Sequence, residues 1–349
     1  MPTIDIHNKK IGDNYPCFII AEAGVNHNGD LNLAKKMIAV AKKSGADAIK
    51  FQTFHADKVV IKTADKAEYQ KATTGTEESQ YDMIKKLELT DNEFSHLANY
   101  SRKKKILFLS TPFDKNSVDV LDEIGVPAFK ISSGEITNFP LLTHIAKKSK
   151  PVILSTGMST MDEVAGAVDL LKRNGAPQIA ILHCVTSYPA EIQDLNLRVM
   201  DTLKNQFNLP VGFSDHSMGI IASIAAVAMG ASIIEKHFTL KKTLPGPDHK
   251  ASLNPKELLS LVNGIRQIEA ARGTGIKILT PCEQAIKKVA RRSIVSAKTI
   301  RAGELIQDTM LEIKRPGTGI DPTCYNNLLN RKARVTIPKD TIIVWNMIE

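Results

Sequence analysis

Short runs of apolar, often β-branched residues recur along the first three quarters of the chain. Between them lie longer stretches whose apolar positions return every three or four residues. The short runs are Phe18–Gly24, Ala48–Thr53, Ile106–Ser110, Ala128–Ser132, Val152–Thr156, Ile179–Cys184, Val211–Ser214 and Ser232–Phe238. Strands covered on both faces read in this continuous way. The stretches Leu31–Ser44, Asp91–Lys104, Asp114–Ile124, Met161–Asn174 and Leu195–Phe207 predict amphipathic helices, and a helix at Pro255–Ala271 closes the series. Eight strands alternating with helices predict a (β/α)8 TIM barrel over residues 1–272. An open doubly wound sheet would need a glycine-rich phosphate turn after its first strand, and the turn here, EAGVNHNGD, lacks that spacing.

Beyond Arg272 the pattern changes. Residues 273–290, starting GTGIKILTPCEQ, read as a linker, and the short β-like runs and turns of 291–349 predict a small, mostly β domain. The connection Ala56–Leu87 is long and polar, a length usual for functional loops. Gly219–Ile234 is almost wholly apolar but shorter than a membrane span; Gly230 and Ser232 divide it into a small-residue helix and a β-branched strand.

Composition narrows the function classes. A chain of 349 residues, 43% hydrophobic and 24% charged, has the make-up of a globular protein. Its net charge of +9 suits anionic partners. The Lys and Arg residues are dispersed over helical stretches, however, and aromatics, at 5%, do not interleave with them. That argues against nucleic acid as a partner, and no segment calls for a membrane. Cys17, Cys184, Cys282 and Cys324 show no paired spacing, and the polar N-terminus lacks the apolar stretch of a signal peptide. A reduced, cytoplasmic setting is expected.

Barrel enzymes carry their reactive groups at the C-terminal ends of the strands. Those positions hold Glu22; Lys50 and Gln52; Ser110 and Thr111; Lys130, Ser132, Ser133 and Glu135; Ser155 and Thr156; His183; Ser214, Asp215 and His216; and Glu235 and His237. Buried charge is costly unless paired or used. Two lysines, several hydroxyls, two histidines and a few carboxylates at one mouth suit a small phosphorylated anion and a divalent metal. His216 and His237 end consecutive strands, so they are neighbours, and two imidazoles leave room for water and substrate on a metal. His183 and Cys184 adjoin on one strand and face opposite sides, which gives no nucleophilic Cys/His pair.

These residues lie in segments that resemble the sialic acid synthase (N-acetylneuraminate synthase) family. The segments are IIAEAGVNHNGD (Ile19–Asp30), IKFQT (Ile49–Thr53), STPFD (Ser110–Asp114), FKISSGE (Phe129–Glu135), ILSTGM (Ile153–Met158), LHCVTSYP (Leu182–Pro189), GFSDHS (Gly212–Ser217), EKHFT (Glu235–Thr239) and PGPDHKASL (Pro245–Leu253). RRSI (Arg291–Ile294), AGE (Ala302–Glu304) and KRPGTGI (Lys314–Ile320) look like that family's antifreeze-like SAF domain. The resemblance implies condensation of phosphoenolpyruvate with the open-chain aldehyde of an N-acylhexosamine. N-acetylmannosamine, giving N-acetylneuraminate, is the first expectation. A 2,4-diacetamido-trideoxyhexose, giving legionaminic or pseudaminic acid, is the alternative. It further implies that Lys50, Thr111, Lys130, Ser133, Ser155 and Ser214 hold phosphoenolpyruvate, and that His216 and His237 hold Mn2+ or Mg2+. By the same resemblance Glu22, Glu135, His216 and His237 are catalytic, and Gln52, Tyr188 and Asp248 meet the sugar. Arg315 would come from the SAF domain of a partner chain, in a domain-swapped homodimer.

Overall fold

The computed structural model describes residues 2–349, which divide into two compact units between Gly273 and Thr274. The first is built on eight parallel strands, here β1 (Phe18–Gly24), β2 (Ala48–Thr53), β3 (Leu107–Pro112), β4 (Phe129–Ile131), β5 (Val152–Ser155), β6 (Ile179–Cys184), β7 (Val211–Asp215) and β8 (Ile233–His237). Their order is β3-β2-β1-β8-β7-β6-β5-β4. The ladder therefore runs right round from β3 to β4 through the β1–β8 junction, and β3 and β4 pack side by side to complete the ring. This is the TIM-type arrangement that the alternation of elements predicts.

Helices cover the outer face. Leu31–Lys43, Asp91–Lys104, Lys115–Ile124, Met161–Arg173, Val199–Phe207 and Pro255–Arg272 follow the expected segments closely, and the helix Ile221–Ala228 precedes β8. Their starts are set locally. Asp30 accepts from the backbone N–H of Asn32 and Leu33, and Thr90 with Glu93 and Thr160 with Glu163 form reciprocal capping boxes. Three features go beyond the sequence reading. A helix Phe139–Ala146 lies between β4 and β5. The loop 56–87 carries three short helices, Ala56–Val59, Glu68–Thr74 and Gln80–Lys85. The N-terminal segment forms a hairpin, Ile4–Ile6 paired antiparallel with Lys9–Ile11.

The core has two layers, because strand side chains alternate between faces. Outward residues such as Ile19, Ile49, Phe108, Phe129, Leu154, Ile181, Phe213 and Ile234 pack against the helices. Inward residues Phe18, Ile20, Ala48, Leu109, Ala128, Ile153, Ala180, Leu182 and Ile233 fill the barrel, and Ile4, Ile6 and Ile11 of the hairpin close its floor.

The second unit opens with a helix, Pro281–Ala290, inside the stretch expected as a linker. Its start is a Thr280/Glu283 capping box with Pro281 in the first turn. An antiparallel pair, Ser293–Ser296 with Leu311–Lys314, and several isolated bridges then surround a small core of Ile294, Ile300, Ile306, Met310, Leu328, Ile337 and Ile343. Among the described residues, no helix is long and apolar enough to cross a membrane.

Candidate active site

The inward apolar layer stops at one level, and the next inward residue of every strand is polar. Two residues past Ile20 comes Glu22; past Ala48, Lys50; past Leu109, Thr111; past Ala128, Lys130; past Ile153, Ser155; past Leu182, Cys184; and past Ile233, Glu235. Ser214 occupies this level on β7, two residues after Gly212. Period-two alternation thus turns eight separate strand ends into one polar ring. It lines a cavity of about 370 Å³.

Inside the ring the charges interlock. Lys50 Nζ lies 2.6 Å from Glu22 Oε2, 3.7 Å from Glu235 Oε2, and donates to Thr111 Oγ1 at 2.8 Å. Lys130 Nζ lies 3.1 Å from Glu235 Oε1, which also accepts from Ser214 Oγ at 2.9 Å. All four charged side chains are buried. Burial pushes Glu22 above the usual carboxylate range even though Lys50 pulls against it, and Glu235 adds to the rise. Burial would raise Glu235 too, but Lys130 and Lys50 together outweigh it and hold Glu235 low. Burial lowers Lys130, whereas Lys50, between two carboxylates, is raised despite burial. Two lysines therefore converge on a firmly ionised Glu235, with a carboxyl raised by burial at Glu22, a set suited to an anion. Glu22 Oε1, Glu235 Oε2 and Ser155 Oγ are buried without a hydrogen-bond partner among the described residues.

On the rim above β4 and β5, Ser133 Oγ accepts from the Gly157 N–H at 2.9 Å. A Cβ on residue 157 would lie 2.1 Å from Thr186 Oγ1 and 2.8 Å from Ser133 Oγ, so only glycine allows this approach.

The two imidazoles stand beside the ring, with centroids 5.6 Å apart. His216 stacks on Tyr188 at 4.1 Å. Its Nδ1 lies 2.8 Å from the Val185 carbonyl, so Nδ1–H donates there and Nε2, 3.1 Å from the Tyr188 hydroxyl, keeps its lone pair. Burial holds His237 far below its usual pKa and hence neutral, and its Nδ1 lacks a partner among the described residues. Among the described residues no three His, Cys, Asp or Glu side chains converge as a complete metal cage. Two imidazoles, one already oriented by a backbone carbonyl, fit a divalent ion that keeps water or substrate in its other positions.

The loops that carry the rest are pinned by buried polar contacts. Asn26 Nδ2 donates to the Phe238 carbonyl and to Ser252 Oγ, both at 2.9 Å, and Ser252 Oγ donates to the Asp248 carbonyl at 2.7 Å. His249 bridges Thr239 Oγ1 (2.7 Å) and Asn28 Oδ1 (3.1 Å). The VNHNGD segment thus clamps the PGPDHKAS loop and does not line the ring cavity. Asp248, so held, lines a second cavity that shares Gln52, Tyr69, Gln80, Phe113, Tyr188 and His237 with the first. Burial pushes its carboxyl up to about 6.

Of the expected site residues, Glu22, Lys50, Gln52, Thr111, Lys130, Ser133, Ser155, Tyr188, Ser214, His216 and His237 line the first cavity. Glu135 does not: it sits on the 3-10 turn Ser133–Glu135 and accepts from Asn138 Nδ2 at 2.6 Å, beside the cap of the next helix. Arg315 is exposed on the second unit, just past the strand Leu311–Lys314. His183 points outward, stacks near Phe213 and bonds the Leu195 carbonyl, while Cys184 faces the cavity. Glu235 is the residue that sequence reasoning placed at a strand end without giving it a role. Its two-residue offset from His237 on one strand is the signal that puts both on the inner face. Tyr69 and Gln80 also line the cavity but come from the 56–87 loop, where no periodicity points to them.

A family model described as the NeuB family matches residues 37–277, and a SAF domain model matches 291–349. A Campylobacter jejuni protein named N,N'-diacetyllegionaminic acid synthase is 50% identical, covering 93% of this chain and 98% of the relative. The Legionella pneumophila protein of the same name is 46% identical, covering 98% of this chain and 97% of the relative. A crystal structure of N-acetylneuraminic acid (sialic acid) synthetase from Leptospira borgpetersenii superposes with a TM-score of 0.72 and 41% identity, over 81% of this chain and 94% of that one.

Proposed function

The chain belongs to the NeuB family, and from that premise we propose that it condenses phosphoenolpyruvate with the open-chain aldehyde of an N-acylated amino sugar and water, releasing phosphate and a nine-carbon sugar acid. The observation that carries this reading is the convergence of two buried lysines, Lys50 and Lys130, on Glu235, set directly beside the imidazoles of His216 and His237.

In this reading Lys50 and Lys130, with Thr111, Ser133, Ser155 and Ser214, hold the carboxylate and phosphate of phosphoenolpyruvate, and the unpaired Ser155 hydroxyl gains the partner it lacks. His216 and His237 would hold a divalent ion, Mn2+ or Mg2+, which supplies Lewis acidity toward the aldehyde oxygen. Tyr188 and Gln52 orient the sugar so that its aldehyde carbon faces C3 of phosphoenolpyruvate. The C2=C3 π pair forms the C–C bond between these atoms, the aldehyde oxygen takes up a proton, water adds at C2 and surrenders one proton, and the C2–O bond to phosphate breaks as the remaining hydroxyl proton passes to the departing phosphate and leaves the C2 ketone. Glu22, biased by burial toward its protonated form, is the nearest proton donor to the lysine cluster, and Asp248 holds a second proton on the sugar side.

The higher identities to the two legionaminic acid synthases favour a 2,4-diacetamido-trideoxyhexose over N-acetylmannosamine. Arg315 completes the sugar site from a partner chain in a homodimer. One assay tests the scheme: phosphate release from phosphoenolpyruvate with a panel of N-acyl amino sugars, with and without chelator. We expect turnover with at least one sugar, abolished by chelator and restored by Mn2+. Mixed dimers of Arg315→Ala and Lys130→Met chains should recover activity that neither parent has. Absence of phosphate release with every sugar overturns the scheme; full activity in chelator removes the metal from it.

A further inference from the structure

The second cavity differs in character from the first although the two adjoin. The ring cavity is walled by charge and hydroxyls. The second, about 240 Å³, is walled on its far side by Val25, Phe54, Val60, Met83, Ile84 and Leu87. Val25, Phe54 and Leu87 form a small apolar cluster of their own, separate from the barrel core, with Ile84 and Phe113 packed against it. Val60, Met83, Ile84 and Leu87 all come from the 56–87 loop, so this loop builds an apolar annex onto a polar active site. Gln52, Tyr69, Gln80, Tyr188 and His237 face both spaces, and Gln70 and Asp248 are the polar groups that line the annex alone.

A terminal hydroxyl set against the wall of Val60, Met83, Ile84 and Leu87 finds no side-chain hydrogen-bonding group on those four residues except the weak thioether of Met83. Burying such a group is unfavourable, whereas burying a methyl is favourable. The reacting aldehyde carbon must lie at the imidazoles, on the side of the lysine ring. The annex adjoins the ring cavity at His237 and Tyr188, and so offers space to the rest of the sugar chain. We propose that the annex of the 56–87 loop receives the sugar's tail and selects for a methyl terminus or acyl methyl groups over a hydroxymethyl terminus. This rests on the condensation reading above and adds to it the residues that read the sugar's unreactive end.

An apolar pocket discriminates only moderately against an added hydroxyl, so the expected preference is roughly tenfold to a hundredfold. The experiment uses the full-length enzyme and two sugars that differ only at the terminal carbon, one 6-deoxy and one 6-hydroxy, both acetamido at C2 and C4. Each is offered as the aldehyde in turnover and as its alditol in calorimetric binding. The 6-deoxy alditol should bind tenfold or more tightly, and kcat/KM should follow the same order. In Val60→Thr/Met83→Gln, which adds polar partners at nearly constant volume, the preference should shrink severalfold while KM for phosphoenolpyruvate holds. Equal binding of the two alditols, or binding of neither, overturns the proposal. A binding preference without turnover of either aldehyde sustains the annex and overturns the condensation scheme, so the two failures are told apart.

Discussion

Two buried charge clusters flank the same pair of strands, one on each face. Inside the barrel, Glu235 and Ser214 meet Lys130 and Lys50. Outside, one residue along each strand, Asp215 and Lys236 are register partners and form an ion pair of 2.9 Å beneath the helix Ile221–Ala228. The outer pair is saturated. Asp215 Oδ1 accepts from the Ser217 N–H and hydroxyl, Oδ2 accepts from Ser223 Oγ, and Lys236 Nζ also donates to the Ser217 carbonyl. The inner cluster is not: Glu235 Oε2, Glu22 Oε1, Ser155 Oγ and the Nδ1 of His237 have no hydrogen-bond partner among the described residues. Residue types and burial are alike, so neither separates structure from function here. Completeness does. A buried polar group without a partner is costly, and a cluster that carries several is one that a ligand completes. The saturated pair, by contrast, rivets together the two strands that bear His216 and His237.

If that distinction holds, the largest change in stability should come from the outer face. Asp215→Asn leaves Lys236 charged, buried and short of its counter-ion, and should cost about 3–5 kcal/mol in denaturant unfolding. Replacing both by apolar residues, Asp215→Leu with Lys236→Met, should recover most of it, since a buried pair often contributes little net over well-packed hydrophobes. A single variant as stable as the parent would mean that the pair is not a rivet.

The next effect belongs to the inner face and should appear in kinetics instead. Lys130→Met removes a charge-assisted contact to the anion worth about 1.5–3 kcal/mol, a loss of roughly tenfold to over a hundredfold in apparent affinity for phosphoenolpyruvate or in rate. Its unfolding free energy should move less than that of Asp215→Asn, because Glu235 keeps Lys50 and Ser214 as partners. A change confined to the KM of the sugar would mean that Lys130 does not hold the anion.

The comparison also explains what could be read from the chain alone. Strand identity was legible because residues such as Ile179–Cys184 are apolar on both faces, and the strand ends were legible because charge enters those runs at one side only. His216 and His237 stood out as neighbours for the same reason. The role of Glu235 was hidden by its neighbour: Lys236 follows it directly, and a sequence Glu-Lys-His does not say which charge faces in until the register with Asp215 is known. Glu135 differs in the opposite way: a carboxylate two residues after Ser133 reads as part of the mouth, and the 3-10 turn sets it beside Asn138, outside the cavity lining. The hairpin at Ile4–Ile11 and the annex walls from the 56–87 loop escape because three-residue strands and one-turn helices are too short to show a period.

The smallest expected effect separates the two faces with one chemical change made twice. Ser223 and Ser155 are both buried, and alanine removes one hydroxyl from each. Ser223 Oγ is bonded to Asp215 Oδ2, whereas Ser155 Oγ has no partner. Deleting the bonded hydroxyl forfeits a hydrogen bond to a charged group, but Lys236 still covers the same oxygen, so Ser223→Ala should lose only about 1 kcal/mol of stability. Its KM for phosphoenolpyruvate should be that of the parent. Deleting the unbonded hydroxyl forfeits no hydrogen bond within the protein, so Ser155→Ala should be as stable as the parent or slightly more stable. Once the anion is bound, however, the parent has a hydrogen bond that the variant lacks. That difference, about 0.5–1.5 kcal/mol, should raise the phosphoenolpyruvate requirement twofold to tenfold. Urea unfolding and saturation kinetics on both variants read the two signs independently. Loss of stability in Ser155→Ala with unchanged kinetics would place its hydroxyl with the structural set, and the contrast between saturated and incomplete clusters would fail at that residue.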